Sequence, residues 1–555
     1  AWSLAKLDLV DARVSHVLAT SAARQLELME PRFLCGQLAW AFAATGCDEP
    51  ELFQAIADAA TNKKSNNNNS NKSNNNDINN NNTINSSKKS NNNDINNNSN
   101  NNDINNYLAS DLSNLAWAFA ALGYQSPELF RALATRSQSV MHDFNPQDLS
   151  NLVWAYSTLG VHDSALFHSV GLEVPRKIRE FGMQELSNLA WAFSVAGCAS
   201  PAVFGAIEQE LRERIRGDLE SVGSASNNNN NKINSNNNNN DNKNNNNNND
   251  NNKNNNNDNN KNNNNNNNNR DLGQLAKQAL DIKDIVYHLS TAKLLSSDTL
   301  ALARKALAKI GRAQEGAGRP VFQALGAALE ATALLGEGVP ADAPFLVLDL
   351  PDRCVVHKPP GWEVERNREQ QQEAGGQQLS AFLQGILPGL RILCDASSSY
   401  GFLHRLDVSS SGLILAAKTY GAYHDLDLQL RTGEIEREYV VLCRGFLPRC
   451  RSQVDAKVDP PGRWAPSAPS RVGRPRGRPS VTRIKVLAQA TRLGEAFSLL
   501  AVQIGSGRRH QIRAHLAHLG HPTVCDWLYA AEPTFQADKA WCRRNFLHRH
   551  RLSFK

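Results

Sequence analysis

Apolar residues in the first 216 positions recur at helical spacing. Leu115, Ala118, Phe119 and Leu122 fall at i, i+3, i+4 and i+7, which gives one buried helix face. The phrase Asn114-Leu-Ala-Trp117-Ala-Phe119 returns as Asn151-Leu-Val-Trp154-Ala-Tyr156 and as Asn188-Leu-Ala-Trp191-Ala-Phe193, its tryptophans 37 residues apart. A period of this length predicts stacked helical hairpins. Gly123 ends the first helix of a unit, and Ser126-Pro127-Glu128 supplies a cap, a first-turn proline and an acid suited to the helix dipole. Leu129, Phe130 and Leu133 continue the second helix, and Asn145-Pro146 opens the next unit in the same way. An earlier copy is Gln37-Leu-Ala-Trp40-Ala-Phe42, with Glu51-Leu-Phe53 as its second helix. Trp40 and Trp117 are 77 residues apart, so about 40 residues are inserted between two helices, where added loop length costs little. Trp2 stands 38 residues before Trp40. The chain therefore starts inside a repeat and is expected to be a fragment, with any targeting segment upstream.

The periodicity is interrupted over residues 62–106 and by a linker over 217–269; the first, and the second from about Asn227 to Asn269, are dominated by Asn, with scattered Ser, Lys, Asp and Ile. Such composition lacks the apolar surface to offset chain entropy and is expected to be disordered, a repeat expansion tolerated where the chain is exposed. Residues 270–338 are rich in Ala, Leu and Lys at helical spacing and read as an extension or cap of the solenoid. The organisation expected is helical repeats over 1–61 and 107–216, the two Asn-rich segments, the helical extension, and a catalytic domain over 344–555.

The formal charge is +6, and its distribution is more informative than its sum. Arg449, Arg451, Lys457, Arg463, Arg471, Arg474, Arg476, Arg478, Arg483 and Lys485 face only Asp455 and Asp459 in a Pro- and Gly-containing stretch. Beside a catalytic core this suggests contact with a phosphate backbone. The nine cysteines include no C-x-x-C pair, so reduced thiols in an intracellular compartment are expected rather than a zinc site or a disulfide framework. No run approaches the roughly eighteen apolar residues of a membrane span.

Four motifs stand in order in the C-terminal part. They are Phe345-Leu-Val-Leu-Asp349 with Cys354-Val-Val-His-Lys358-Pro-Pro-Gly361; His404-Arg405-Leu406-Asp407 with Ser411-Gly412; Arg437-Glu-Tyr439; and Gly507-Arg508-Arg509-His510-Gln511-Ile512-Arg513, followed by Gly520-His521-Pro522 and Asp526-Trp-Leu-Tyr529. Together they resemble the RluA-type pseudouridine synthases. That resemblance implies an α+β fold with a mixed, mainly antiparallel sheet flanked by helices, and an enzyme that converts uridine to pseudouridine in RNA. The repeats over Ala1 to Arg216 resemble octotricopeptide and FAST-kinase-like repeats of organellar RNA-binding proteins. They imply a helical solenoid that offers an accessory RNA surface, and a mitochondrial or plastid location.

The implied reaction breaks a base-to-sugar bond, turns the base and forms a carbon bond, with no redox step and no energy source. No cofactor and no metal are therefore expected, and RNA is the expected partner: ribosomal, transfer or messenger. By resemblance Asp407 is the carboxylate that attacks the anomeric carbon or stabilises its developing charge. Arg513 is the cation that keeps it ionised, a task suited to a planar guanidinium. Tyr439 packs against the target base and is a candidate to handle the proton at its carbon 5. A uridine inside folded RNA must leave the stack, and Arg405 is the family's candidate to hold the opened space. His404 is read as a support or an RNA contact, and Lys358, Arg508, His510 and Gln511 either as pocket or phosphate contacts or as supports of the fold. Trp117, Trp154 and Trp191 read as packing between helices, whereas Asn114, Asn151 and Asn188 suit either solvent and RNA or bonds between helices.

The chain departs from the family in three places. In Val408-Ser409-Ser410, Ser409 stands where the family has an acid and Ser410 where it has a threonine, keeping a hydroxyl; Cys525 replaces a glycine; and the chain stops at Lys555, just after the Leu-Ser-Phe strand. The competing reading is a non-catalytic organellar RNA-binding or RNA-stability factor with a degenerate synthase domain. The intact trio of Asp407, Tyr439 and Arg513 argues against it.

Overall fold

The helical phrases of the sequence form helices in the computed structural model, which describes residues 12–26, 38–61, 104–198, 200–230, 256–316, 340, 342–364, 377–461, 468–473 and 477–555. The chain divides into two compact units, Ala1–Glu213 with His288–Leu295, and Arg214–Tyr287 with Ser296–Lys555.

In the first unit α1 (Ala12–Gln25), α2 (Trp40–Thr45), α3 (Pro50–Ala60), α4 (Ala109–Leu122), α5 (Pro127–Ser139), α6 (Pro146–Leu159), α7 (Ser164–Lys177) and α8 (Met183–Val195) alternate as first and second helices of hairpins. First helices pack on first helices, α2 on α4, α4 on α6 and α6 on α8, and second helices do likewise. One aromatic contact repeats down the array: Phe53 with Phe119, Phe130 with Tyr156 and Phe167 with Phe193, ring centroids 5.0–5.2 Å apart and edge to face. The proline and glycine punctuation holds, with Pro127 and Pro146 in the first turns and Gly123 and Gly160 in left-handed caps. Asn145 caps α6 by accepting the Asp148 amide at 2.9 Å, while the Ser126 side chain makes no cap bond. Trp154 and Trp191 meet across neighbouring helices at 6.3 Å, in line with packing, and each keeps part of its ring exposed.

Helix α9 (Pro201–Asn230) runs into the second Asn-rich segment, α10 (Asn256–Thr291) begins inside it, and Ile104–Asn106 forms a 3-10 turn at the end of the first. The segments expected at 62–106 and 217–269 are thus narrower. Extending an existing helix costs far less than nucleating one, so Asn is carried along at its ends. Residues 62–103 and 231–255 lie outside the described residues, as do Trp2 and residues 317–339. Within the expected extension, α11 (Ser297–Glu315) belongs to the second unit. It packs on α13 (Tyr420–Thr432) of the second unit, where a Cβ on Gly311 would lie 2.4 Å from the Gly421 Cα. Two glycines let the helix backbones meet.

The second unit is built on one sheet of β1 (Phe345–Asp349), β2 (Arg353–Lys358), β3 (Ser411–Ala417), β4 (Glu436–Arg444), β5 (Gln453–Asp455), β8 (Val481–Arg492), β9 (Glu495–Ile504) and β10 (Leu547–Ser553). Its order is β1-β2-β3-β10-β4-β9-β8-β5, antiparallel throughout except where β10 lies parallel to β3. A separate ribbon pairs β6 (Val458–Asp459) with β7 (Arg471–Val472). Helices α12 (Leu379–Ile386), α13, α14 (Gln511–His518) and α15 (Glu532–Lys539) flank the sheet. This is the mixed, mainly antiparallel α+β fold that the motifs imply. Val356, Ile414, Leu415, Val441, Leu500, Val502 and Leu516 are fully buried in its core. Among the described residues every cysteine is free, and no helix is long and apolar enough to cross a membrane.

Candidate active site

Four chain segments converge on Asp407. Its loop joins Leu406 to β3, and the Ser410 amide closes the turn on the Asp407 carbonyl at 3.0 Å. The loop is held from β2 by Lys358, which is fully buried and reaches the carbonyls of Trp362 at 2.8 Å, Pro359 at 3.0 Å and Val408 at 3.3 Å. Burial pushes the Lys358 ammonium down to about 7, against the pull of Asp407 and with the push of Arg544. Of the two roles open to Lys358, its contacts fit support of the loop.

From α14 the Arg513 guanidinium donates to Asp407 Oδ2 at 2.8 Å, while its Nε and second Nη donate to both oxygens of Asp526 at 2.7 Å. Asp526 is fully buried and also accepts the Thr523 hydroxyl at 2.8 Å and the Leu528 amide at 3.1 Å. Burial alone would raise its pKa; the guanidinium and these donors outweigh it and hold the carboxyl below its usual range. Burial disfavours the Arg513 cation, yet the two carboxylates hold it more firmly protonated than usual. The Asp407 side chain keeps 26% of its surface exposed, so the carboxylate is both held and reachable.

His510 opens α14 in a left-handed conformation, φ 55°, which brings its Nε2 to 4.0 Å from Asp407 Oδ1 and its Nδ1 to 3.2 Å from the Tyr529 hydroxyl. Burial, with Arg513 and Arg509 alongside, lowers its pKa despite Asp407, which leaves the ring neutral at pH 7. Tyr529 lies under the Arg513 guanidinium at 5.1 Å and bonds the Ser470 backbone. Ser470 also donates to the Arg509 carbonyl at 2.9 Å, which ties the basic loop to the site. Gln511 is buried with its whole amide engaged, giving to Val481 and Thr482 and accepting from Ser506 and the Arg508 amide. It supports the turn. Arg508 is half-buried, and Arg405 is exposed beside Asp407 as an RNA-facing residue would be.

Tyr439 is 3% exposed, and its hydroxyl accepts two bonds from Arg549, at 2.7 and 3.0 Å. The same guanidinium donates to His404 Nδ1 at 2.8 Å. An arginine can only donate, so that nitrogen carries the lone pair and His404 is neutral. Burial, with the charges of Arg549 and Arg437, holds its pKa well below the usual value. Sequence reasoning missed two members of the site, Asp526 and Arg549. Asp526 was in view as part of a turn motif. Arg549 shares the buried side of β10 with Leu547, a signal that alternation along the strand could have given.

Residues 352–518 match the model of the RNA pseudouridylate synthase family. The second unit carries a domain of that family. Ribosomal large subunit pseudouridine synthase D of Neisseria meningitidis serogroup A is 32% identical over 208 residues, which are 36% of this chain and 51% of that protein. Ribosomal large subunit pseudouridine synthase C of Yersinia pestis is 32% identical over 204 residues, 36% of this chain and 58% of that one. The chain spans about half the length of the curated relatives it matches. Residues 95–216 match a second family, the RNA-editing substrate-binding complex 6 protein, a match that spans α4 to α8 of the helical array. The synthase domain thus contains all of Asp407, Tyr439 and Arg513. Among the described residues no group of three His, Cys, Asp or Glu side chains suits a metal ion.

Proposed function

We propose that the chain isomerises uridine to pseudouridine in structured RNA, ribosomal or transfer RNA, with the helical array as an accessory RNA-binding surface. The observation that carries this reading is the Arg513 bridge, 2.8 Å to a half-exposed Asp407 and clamped from behind by Asp526. It pairs one carboxylate with a guanidinium and leaves it reachable from solvent, which is what attack on, or stabilisation of, an electron-poor anomeric carbon needs. The glycosidic bond breaks, uracil turns within the cleft, its carbon 5 bonds to the anomeric carbon, and the proton on carbon 5 leaves as the ring nitrogen gains one. Atoms and electrons balance without a co-reactant. Arg405, exposed at the head of the loop, is suited to hold the space of a uridine that has left its stack.

The test is to incubate the protein and its Asp407→Ala variant with organellar and cytosolic RNA and map pseudouridine. Product from the wild type and none from the variant is expected. Equal product from both sinks the catalytic reading, and none from either favours an RNA-binding module.

A further inference from the structure

Among the described residues Arg549 is one of the largest fully buried side chains, with 1% of its surface exposed. It stands on β10 directly opposite Tyr439 in antiparallel register and beside Gly412 in parallel register. The ladder slips just after it, between Arg549 and Arg551, and Gly412 makes room: a Cβ there would lie 2.3 Å from the Arg549 carbonyl oxygen. All five N–H groups of the guanidinium find acceptors. Nε and Nη2 reach the Tyr439 hydroxyl at 3.0 and 2.7 Å, and Nη2 also reaches the Arg405 carbonyl at 3.4 Å. Nη1 reaches His404 Nδ1 at 2.8 Å and the Leu413 carbonyl at 3.0 Å. Its carbon lies 5.0 Å from the centre of the Tyr439 ring.

None of those acceptors is a carboxylate. Burying a cation among neutral groups is costly, and an apolar side chain of similar volume would serve a core as well or better. The arrangement is therefore better explained by what it fixes than by stability. The loop bearing Asp407 follows Arg405 and runs into β3 at Ser411, and Arg549 bonds a backbone carbonyl on either side of it, those of Arg405 and Leu413. It grips Tyr439 as well. With two lone pairs occupied by Arg549, the phenol oxygen has one direction left for its own proton, away from the guanidinium.

Resting on the pseudouridine synthase reading above, we propose that Arg549 is a positioning residue of the reaction, a staple that fixes the Tyr439 hydroxyl and the two ends of the Asp407 loop in one geometry. A bound uridine then meets the aromatic ring and the carboxylate at a set separation. Arg549 itself touches neither substrate nor reacting atoms.

The test compares the full chain with Arg549→Ala, Arg549→Met and Asp407→Ala under single-turnover conditions at saturating RNA, with RNA binding measured in parallel. Loss of a charged group's bonds to the machinery is expected to slow Arg549→Ala and Arg549→Met about 10- to 100-fold while RNA affinity stays at the wild-type level. Methylguanidine should restore the rate of Arg549→Ala, which leaves a hole for it, and not that of Arg549→Met, which fills the hole. A merely structural residue would lose binding and rate together as the fold loosens, without rescue, and that result overturns the proposal. So do wild-type rates in both variants. If the wild type itself yields no pseudouridine while binding RNA, the catalytic reading fails and this one with it. If the wild type is active and Asp407→Ala is not, any failure belongs to Arg549 alone.

Discussion

A single guanidinium, Arg513, answers to two carboxylates, and the division of labour between them is set by exposure. Asp407 is open to the cleft; Asp526 is fully buried and takes two of the three bonds. Asp526 therefore aims Arg513, and Arg513 holds Asp407. Asp526→Asn should slow the saturated rate by about 10²-fold through misplacement of the guanidinium, and Asp526→Ala should cost about 3–5 kcal/mol of stability, because the buried cation loses two of its three carboxylate bonds and its one fully buried partner. The carboxyl of Asp526 titrates below its unfolded value, so its stabilisation is complete above about pH 4 and is lost as pH falls through the folded value. Acid titration of unfolding should accordingly be shallower below pH about 4 in Asp526→Asn than in the wild type; parallel curves would mean that this pair does not govern acid stability. The sequence made Asp407 and Arg513 legible because each lies in a dense motif. Asp526 stood in a motif too, but its role depends on a contact across 13 residues, and Arg549 lay 110 residues from the Tyr439 it holds. Partnerships of that kind are tertiary and leave no local pattern.

At the scale of elements, the site depends on one unusual pairing, the parallel contact of β10 with β3 in an otherwise antiparallel sheet. That contact inserts β10 between the strand after the Asp407 loop and the strand of Tyr439. It is possible because Gly412 adopts φ 124°, a conformation that favours glycine, against the Arg549 backbone. Gly412→Ala should cost more than about 1 kcal/mol and lower the melting temperature by at least about 2 °C, with activity falling alongside. An unchanged melting curve would show that β10 can give way at no cost. Glycine 412 was visible in the sequence as part of Ser411-Gly412, but the reason for it was not, since periodicity predicts strands and not their order. The helical array was more legible, because contacts between successive hairpins repeat the local spacing. Helix α11 reads by composition as an extension of that array, yet it packs on α13 and pairs Arg304 with Glu434, just past the end of α13, at 2.6 Å, contacts that no local pattern shows.

For the molecule as a whole, the proposed function requires a site with one reachable carboxylate to attract a polyanion. Asp407 would repel phosphate were it not set among cations. Arg513 pairs with it directly, and a wider field comes from exposed Arg471 and Arg478 on the basic loop, Arg483 and Lys485 on β8, and Arg509 ahead of α14. Arg463, Arg474 and Arg476 lie outside the described residues. The loop is anchored to the site by the Ser470 bonds to Arg509 and Tyr529, so cations on it keep their place relative to the cleft. Each phosphate contact releases condensed counterions, and the logarithm of RNA affinity should fall linearly with the logarithm of salt concentration. Replacing Arg471, Arg483 and Lys485 together by Gln should flatten that slope by about 2–3 and weaken binding most at low salt, with the deficit in affinity rather than in saturated rate. A filter-binding series over salt concentration reads this directly. A slope unchanged by the triple substitution would move the electrostatic footprint elsewhere, and a lost saturated rate would instead make the loop part of the catalytic geometry, through Ser470 and Tyr529.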